Sequence, residues 1–428
     1  MNSERKKFWS RDGVEPITGR FSVTLWVFVL LVVGTVFAPT SAGAQTSTLT
    51  EAEAVDRALA VEGIQAGWSA EVESLEAHSR ATRRWPNPVV SYSREQTLLD
   101  GEDVAEDFVL LEQALPIGGQ RRLLAQASKI RASARASENR AEARDLAANV
   151  RGAFYRVLYF QRRSEVFARW LDEMRRLEET FKKRVEAGET APYELDRLQV
   201  EISEIESEMA VEEAELARQR ARLAGLIGES AGDDQPSVDG TLLPASLPSE
   251  SELKTALADR PSLVASKRRV EAAQRRLKAA KREWVPEPTL TGGYKRSSSG
   301  GQVDHGFVAG IGLDLPLADR GKAAADAVRS EKIQAESQAR VQRQRLMAKY
   351  IGLLSQARLL RDAAKNFEDK GLAAAQAVYE TARKSYRAGE AGILELVDAY
   401  RRQIDARLRT SKLAFLARQA EIALEENP

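Results

Sequence analysis

The strongest constraint on the fold of this chain is an internal duplication at an offset of about 200 residues. Short motifs recur in the same order in the two halves, as expected when one structural unit is present twice. The matched pairs are Trp85-Pro86-Asn87-Pro88 with Val285-Pro286-Glu287-Pro288, Leu115-Pro116 with Leu315-Pro316, Gly152 with Gly352, Ala187-Gly188-Glu189 with Ala388-Gly389-Glu390, and Glu194-Leu195 with Glu395-Leu396. We therefore divide the chain into a first structural repeat (45–227), a Gly-, Pro- and Ser-rich linker (228–249) and a second structural repeat (250–428).

Residues 1–44 are predicted to be a signal peptide. Basic residues precede an apolar run from Phe21 to Phe37, and Ala42-Gly43-Ala44 supplies the small residues of a cleavage site. The alternative is an uncleaved anchor, because the run is almost long enough to span a bilayer. The position of the small residues favours cleavage after Ala44, which would leave a mature chain outside the cytoplasm.

Composition argues against several classes of function. The 64 Lys and Arg residues are balanced by 63 Asp and Glu residues, so the basic excess of a nucleic-acid-binding protein is missing. Without Cys there is no disulfide, no thiolate metal site and no lipid-modified N-terminal Cys. His78 and His305 are isolated in the sequence. We therefore predict no metal site, no cofactor and no catalytic residues.

One motif match fails on its context. Gly228-Glu229-Ser230-Ala231-Gly232 fits the G-x-S-x-G pattern of hydrolase nucleophiles. That pattern requires a preceding strand, whereas here it follows a predicted helix. The match does not change the prediction that the chain is not an enzyme.

Each repeat is predicted to contain a helix, two short strands, a long helix, a glycine turn and a final helix. In the last strand Phe307, Ile311 and Leu315 share one face, and small or polar residues share the other. This alternation is typical of a barrel wall between lipid and water. The four strands are predicted at about 89–97, 106–115, 289–296 and 307–315.

The helices are predicted to form long rods. Apolar residues recur every seven positions from Leu195 to Leu223, a heptad pattern that favours a left-handed coiled coil. The long helices at 121–186 and 323–387 would each extend roughly 100 Å. Each is nearly as long as its two shorter neighbours placed end to end, so a repeat could pair one continuous rod with one rod stacked from two pieces. The shorter helices are predicted at 49–84, 191–227, 251–283 and 392–425.

Four strands of this length can cross a bilayer at a tilt, but they cannot close a barrel. Because open sheet edges are not tolerated in lipid, strands must be pooled between subunits. Two chains would give eight strands, whose interior fills with side chains, and three would give twelve, enough for an open lumen. Sixteen strands from four chains are not excluded by this arithmetic.

Over residues 49–425 the chain resembles the TolC family of bacterial outer membrane efflux proteins. The resemblance rests on the duplicated unit, the Pro-flanked strand pairs, the Leu-Pro pairs that follow the second strand of each repeat, and the two Ala-Gly-Glu turns. The segments 85–88 and 115–122 are most similar to the CzcC-like branch, associated with heavy-metal cation export. The resemblance implies a mainly α-helical fold with a small membrane β part. Duplicated helical hairpins would form a trimeric α-helical barrel, continued by a shared 12-stranded transmembrane β-barrel with four strands per chain.

The same resemblance implies a passive exit duct in the outer membrane of a Gram-negative bacterium, with most of its mass in the periplasm. The expected partners are two further copies of the chain, outer membrane lipid, a periplasmic adaptor protein and an inner-membrane pump, most simply of the RND type. A periplasmic adaptor is the alternative, but an adaptor should carry one hairpin flanked by β-rich domains. A purely structural coiled-coil protein would have no use for Pro-bounded strand pairs.

The resemblance also implies functional residues near the two Ala-Gly-Glu turns. Glu395 and Asp398 match acidic positions of a periplasmic constriction, and their spacing places them on one helix face. Without the resemblance, a solvated acidic face would be the simpler interpretation. Three copies would stack two carboxylate rings, which attract cations and repel anions.

Two further pairs of residues follow from the resemblance. Tyr386 and Glu194 match positions of a gate latch between neighbouring helices, although a packed Tyr and an exposed Glu would explain them equally well. Ala391 stands where a basic latch partner would be expected, so a latch here would be weaker. Gly188 and Gly389 are predicted to end helices in a left-handed conformation and to form the helical tips that dock on the adaptor.

Overall fold

The computed structural model describes residues 48–99, 102–229 and 237–425. The predicted signal peptide and Ser230-Ala231-Gly232 lie outside the described residues. The described chain is mainly helical with four antiparallel strands, which confirms the predicted fold class. Its elements are α1 (Glu51–Leu59), α2 (Glu62–Arg83), β1 (Val89–Leu99), β2 (Glu102–Ala114), α3 (Gln120–Glu186), α4 (Pro192–Ile227), α5 (Glu250–Ala258), α6 (Pro261–Ala280), β3 (Pro288–Ser299), β4 (Gln302–Leu313), α7 (Lys322–Asn366), a π-helical turn (Phe367–Leu372), α8 (Ala373–Arg387) and α9 (Ile393–Ala423).

The strands form one sheet in the order β1-β2-β3-β4. Each repeat contributes one hairpin, and the two hairpins join where β2 pairs with β3, so that Glu112 lies opposite both Val89 and Thr291. All four strands are longer than the sequence indicated. Within the described residues β1 and β4 are edge strands without a second partner.

The two faces of the sheet differ in chemistry. We call one the apolar face; its large hydrophobic members are Val90, Tyr92, Leu98, Val109, Leu111, Leu290, Tyr294, Val303, Phe307, Ile311 and Leu313. The other, the polar face, carries many Ser, Thr and Gly residues and the Glu106–Lys295 ion pair, together with fewer apolar residues such as Phe108, Leu110 and Val308. Along β3 the apolar-face positions 290–296 are exposed and the intervening polar-face positions are partly buried. Side chains on the inside of a curved sheet crowd one another, so this alternation indicates that the polar face is concave.

The first helix of each repeat, predicted to be continuous, is broken into two. In the second repeat the break precedes Pro261, which occupies the first turn of α6 and has no N–H to continue a helix. In the first repeat the equivalent break falls at Ala60 and Val61. Both short pieces, α1 and α5, begin with a capping box, formed by Thr50 with Glu53 and by Ser249 with Glu252.

The helices pack in two layers that follow one another along the 67-residue helix α3. In the layer next to the sheet, the order of neighbouring helices is α2, α3, α6, α7. In the layer at the hairpin ends, the order is α4, α3, α9, α8. Each layer therefore ends in a first-repeat helix on one side and a second-repeat helix on the other. None of the described helices combines the length and the apolar character needed to cross a membrane.

The linker packs against this body where it is described. Val238 is buried and bridges to Leu49 at the start of the first repeat. Arg418 of α9 donates hydrogen bonds to the carbonyl oxygens of Thr241 and Leu243, at 3.0 and 3.1 Å. Residues 237–249 thus tie the two repeats together rather than forming a free tether.

Candidate functional site

The helical hairpins of the two repeats end in the same backbone turn. Gly188 and Gly389 have φ of 73° and 74°, in the left-handed region where glycine is favoured. At each turn the glycine N–H donates to the carbonyl three residues back, at 3.0 and 3.1 Å, and the next N–H to the carbonyl five residues back, at 2.8 and 2.9 Å. This double hydrogen bond is a Schellman cap. A Cβ on either glycine would meet no atom within 4 Å, so the backbone conformation, not lack of space, requires glycine.

A shared hydrophobic core, which we call the tip core, holds the two hairpin ends together. It combines residues from both repeats, including Phe181 of α3, Ile202 of α4 and Tyr379 of α8. Helix α9 enters this core through Ile393 and Leu396, which are both buried. The intervening positions on α9 therefore face away from the core.

Glu395 lies at one of those outward positions, Asp398 lies between Leu396 and the buried Ala399, and both carboxylates are exposed. The Glu395 carboxylate accepts a hydrogen bond from the Gly392 N–H at 2.8 Å and so caps the start of α9. Asp398 accepts a hydrogen bond from Arg402 Nε at 3.0 Å. Each predicted constriction residue thus has a local partner within its own chain.

A groove between α4 and α9 contains residues from both predicted sites. Glu194, assigned to the latch, and Asp398, assigned to the constriction, line it together, with Arg197 and Arg401 beside them. The structure therefore brings two separately predicted residues to one surface. The two arginines give that surface positive charge that the sequence interpretation did not include.

Arg401 forms the principal ion pair of this groove. Its Nε donates to Glu201 at 3.1 Å, and its Nη2 contacts both Glu201 and Glu204. Burial alone would lower the pKa of Arg401, but the hydrogen bond and charge of Glu201, with further acidic charges, raise that pKa overall. The pair joins one residue of each repeat and ties α4 to α9.

Tyr386, the other predicted latch residue, is half-buried at the end of α8. Its hydroxyl accepts a hydrogen bond from Arg184 at 3.3 Å, and its ring stacks on Phe181 with the centroids 6.4 Å apart. The hydroxyl proton remains available for donation. The hydrogen bond between Tyr386 and Glu194 that the latch would require is not among those within the described chain.

Two neighbouring tyrosines, Tyr379 and Tyr400, are packed in or against the tip core with ring centroids 4.8 Å apart. Burial raises the pKa of Tyr400 to about 12, and the nearby Tyr379 and Glu173 add to the effect. Burial likewise raises the pKa of Tyr379. These hydroxyls stay neutral near physiological pH and serve packing.

Sequence reasoning missed Arg401, Glu201 and Arg402. Nothing in the sequence signalled the Arg401–Glu201 pair, because its two residues lie on helices of different repeats. The Asp398–Arg402 pair could have been found as an i, i+4 pair of opposite charges. Over the part of the chain that the structure describes, no cluster of three or more His, Asp or Glu is arranged to hold a metal.

Comparison with known proteins agrees with this architecture. Residues 253–426 match the family model of outer membrane efflux proteins. The chain is 24% identical over 345 residues to the cobalt-zinc-cadmium resistance protein CzcC of Cupriavidus metallidurans, covering 79% of this chain and 80% of CzcC.

Solved structures share the fold at low identity. A membrane protein from Pseudomonas aeruginosa superposes with a TM-score of 0.72 at 20% identity, over 88% of this chain and 92% of that one. The open-state MtrE outer membrane channel of Neisseria gonorrhoeae gives 0.70 at 18% identity, over 88% of each chain. Nothing in these matches favours a periplasmic adaptor. The second repeat of this chain thus matches the outer membrane efflux protein family, and both repeats share the fold of solved outer membrane channels.

Proposed function

We propose that three copies of this chain form the outer membrane duct of a tripartite efflux system, through which cargo supplied by an inner-membrane pump leaves the cell. The observation that carries this proposal is the four-stranded sheet, apolar on one face and polar on the other, with β1 and β4 open at its edges. Such a sheet is stable in lipid only when its edges are paired.

The packing of the helices supports ring closure. The sheet and both helical layers all begin with a first-repeat element and end with a second-repeat element. An interface that joins unlike surfaces generates a closed ring when the rotation between copies is suitable. Exposed apolar residues on the outer side of α7, among them Ile333 and Ile351, offer surface for a neighbouring copy. Three copies would supply twelve strands, and the polar faces would line an open lumen.

Divalent metal cations are the cargo we propose. The support is the likeness to CzcC, whose name refers to cobalt, zinc and cadmium. With no metal-binding cluster among the described residues, cations would pass through the duct without tight binding.

The constriction is proposed to lie at Glu395 and Asp398. The buried Ile393 and Leu396 turn both carboxylates away from the tip core. Three copies would place six carboxylates around the axis, and such rings favour cations over anions. Arg402, which donates a hydrogen bond to Asp398, would reduce the negative charge of these rings.

The gate latch is proposed to form between Tyr386 and Glu194 of neighbouring copies. Tyr386 could donate its hydroxyl proton to a Glu194 of a neighbouring copy, while Arg184 holds its ring in place. Replacement of Tyr386 by Phe should then raise basal conductance in planar bilayers without loss of trimers; unchanged conductance would argue against the latch.

Gly188 and Gly389 are proposed to mark the surface that meets the adaptor. Asn tolerates the left-handed conformation and adds a side chain to open space, so Gly188→Asn and Gly389→Asn should keep the turn but weaken adaptor binding. Full adaptor binding by both variants would argue against docking at the tips.

The function is tested by disrupting the gene and measuring growth against zinc, cobalt and cadmium salts and against hydrophobic drugs. We expect metal sensitivity, restored by the wild-type chain. Sensitivity to the drugs alone would contradict the proposed metal cargo but would still support the proposed efflux duct. Normal resistance to every compound, with the partner pump present, would reject the efflux role.

A further inference from the structure

A row of three charged side chains and one histidine crosses the apolar face of the sheet. Arg94 lies opposite Asp107, Asp107 lies opposite Arg296, and Arg296 lies opposite His305, so the row runs from β1 to β4. Charged groups on the lipid-facing side of a barrel are costly at the middle of the bilayer and nearly without cost at its interfaces. The row therefore marks the level of the lipid head groups.

Two tyrosines support this placement. Tyr92 and Tyr294 lie on the same face, each two residues before an arginine of the row. The Tyr92 hydroxyl donates to Asp107 Oδ1 at 2.9 Å, and the Tyr294 hydroxyl is hydrogen-bonded to His305 Nδ1. Tyr rings prefer membrane interfaces because they combine an apolar ring with a polar end.

The row lies at one end of the main apolar band; of the apolar-face hydrophobic residues named above, Leu98 and Val303 lie between the row and the hairpin tips. Exposed apolar side chains continue from Phe307 to Leu315, about 25 Å along the chain, which spans about 20 Å of bilayer at the strand tilt of outer-membrane barrels. The opposite ends of the strands lead into the periplasmic helices. The charged row, nearer the hairpin tips, consequently faces the outer leaflet.

The two arginines retain capacity to bind an anion. Arg94 Nη1 and Arg296 Nη1 lie 3.7 and 3.9 Å from the Asp107 carboxylate, beyond hydrogen-bond distance. The Asp107 side chain is only 19% exposed, whereas those of Arg94 and Arg296 are 53% and 50% exposed. Asp107 thus lies beneath two half-exposed guanidinium groups, each with five N–H donors.

The polar face provides a contrast. There Lys295 Nζ contacts Glu106 Oε1 at 2.7 Å, so a cation and an anion balance one another. In the apolar-face row two permanent cations share one anion. Arginine is well suited to phosphate, because its planar fork donates two parallel hydrogen bonds to it.

We propose that Arg94 and Arg296, on either side of Asp107, form a site on the outer wall of the barrel for the phosphate groups of a phosphorylated glycolipid in the outer leaflet. The site requires that the sheet lie in the outer membrane and is independent of the cargo and of the partners. In a closed ring β1 of one copy would adjoin β4 of the next, so the row would continue around the barrel.

The test uses full-length trimers purified in zwitterionic detergent and titrated with phosphorylated lipid A. The readout is the temperature at which trimers dissociate. Lipid A should raise this temperature for the wild-type protein and for Lys295→Gln, the matched variant on the polar face. The double variant Arg94→Gln/Arg296→Gln should need on the order of tenfold more lipid A for the same rise.

Two controls distinguish lipid binding from a general anion effect and from ion pairing between the strands. Dephosphorylated lipid A and inorganic phosphate should give no rise, because the site requires phosphate anchored at the membrane surface. Asp107→Asn keeps both arginines and should retain the response. If the row were only an ion pair across the strands, lipid A would protect the double variant as well as it protects the wild-type protein.

Equal protection of the double variant, or protection by dephosphorylated lipid A, would overturn the proposal. If the double variant does not assemble, the single variants Arg94→Gln and Arg296→Gln are used instead. Each should need about threefold more lipid A than the wild-type protein for the same rise in dissociation temperature. Metal resistance conferred by the variants should stay at the wild-type level. A failed lipid response is therefore distinguishable from a failed efflux role.

Discussion

The two hairpin tips have the same backbone turn but different charges. At the offset of 201 residues Glu194 corresponds to Glu395, whereas Arg197 corresponds to Asp398. The first tip thus carries a carboxylate and a guanidinium where the second carries two carboxylates. The duplicated unit kept its geometry, fixed by Gly188 and Gly389, while its surface chemistry diverged. The proposed attraction of cations would therefore come from the second repeat.

The long helices differ as well. Helix α3 is continuous, but its counterpart in the second repeat is interrupted by the π-helical turn Phe367–Leu372. The repeat offset grows from 200 at Gly352 to 201 at Gly389, so the second repeat has one extra residue between them. The π-helical turn falls in that interval. A helix with both ends fixed can accommodate one extra residue in this way.

Substitution in the π-helical turn should have the largest effect. A Cβ on Gly371 would lie 2.7 Å from the Phe367 ring, so Gly371→Ala should lower the free energy of unfolding by about 1–3 kcal/mol. The matched Gly352→Ala has open space and should be neutral or stabilising by up to about 1 kcal/mol. Thermal denaturation of purified protein compares them. Equal stability of the two variants would show that the turn is not tightly packed.

Removal of the tip charges should have the next largest effect. Glu395→Gln/Asp398→Asn should weaken block by divalent cations in planar bilayers about tenfold, or about 1.4 kcal/mol, and raise conductance. Gln keeps the cap on α9, so the change is one of charge. The matched first-repeat variant Glu194→Gln/Arg197→Gln leaves the net charge unchanged and should alter block much less. Equal effects at both tips would remove the proposed difference between the repeats.

The ion pair between the repeats should respond unequally to loss of either partner. Glu201 is 12% exposed and Arg401 45% exposed. Arg401→Gln leaves a nearly buried carboxylate unpaired and should destabilise the protein by about 1 kcal/mol more than Glu201→Gln, which leaves Arg401 with Glu204. Denaturant unfolding of both single variants and the double variant measures this. A larger loss in Glu201→Gln would contradict the expected asymmetry.

The smallest effect should come from the capping boxes, which the repeats share. Hydrogen bonds from the Thr50 and Ser249 backbone N–H groups lower the pKa of Glu53 and of Glu252. Because the folded-state pKa is lowered, this stabilisation is present above the unfolded pKa and is lost as pH falls through the folded value. Glu53→Gln and Glu252→Gln should each reduce the acid dependence of stability below about pH 4.5. If one variant kept the wild-type acid dependence of stability, its capping box would not contribute to that dependence.

Sequence reasoning located the elements that depend on local chemistry. Prolines, glycines and heptads predicted the strands, tips and helices, because these residues restrict the backbone wherever they occur. It did not predict the pairing of Arg401 with Glu201, since that contact depends on which helix faces meet. The pairing of Asp398 with Arg402 within α9 was overlooked, although its i, i+4 spacing signals it. The change in offset did signal the extra residue, but only the structure places a π-helical turn there.

The most direct test of this account is the mass of the purified mature protein in detergent, measured by light scattering with the bound detergent subtracted. The account predicts three chains per particle and a β-sheet signal that survives until the trimer dissociates. A single chain per particle, stable in water without detergent, would contradict it.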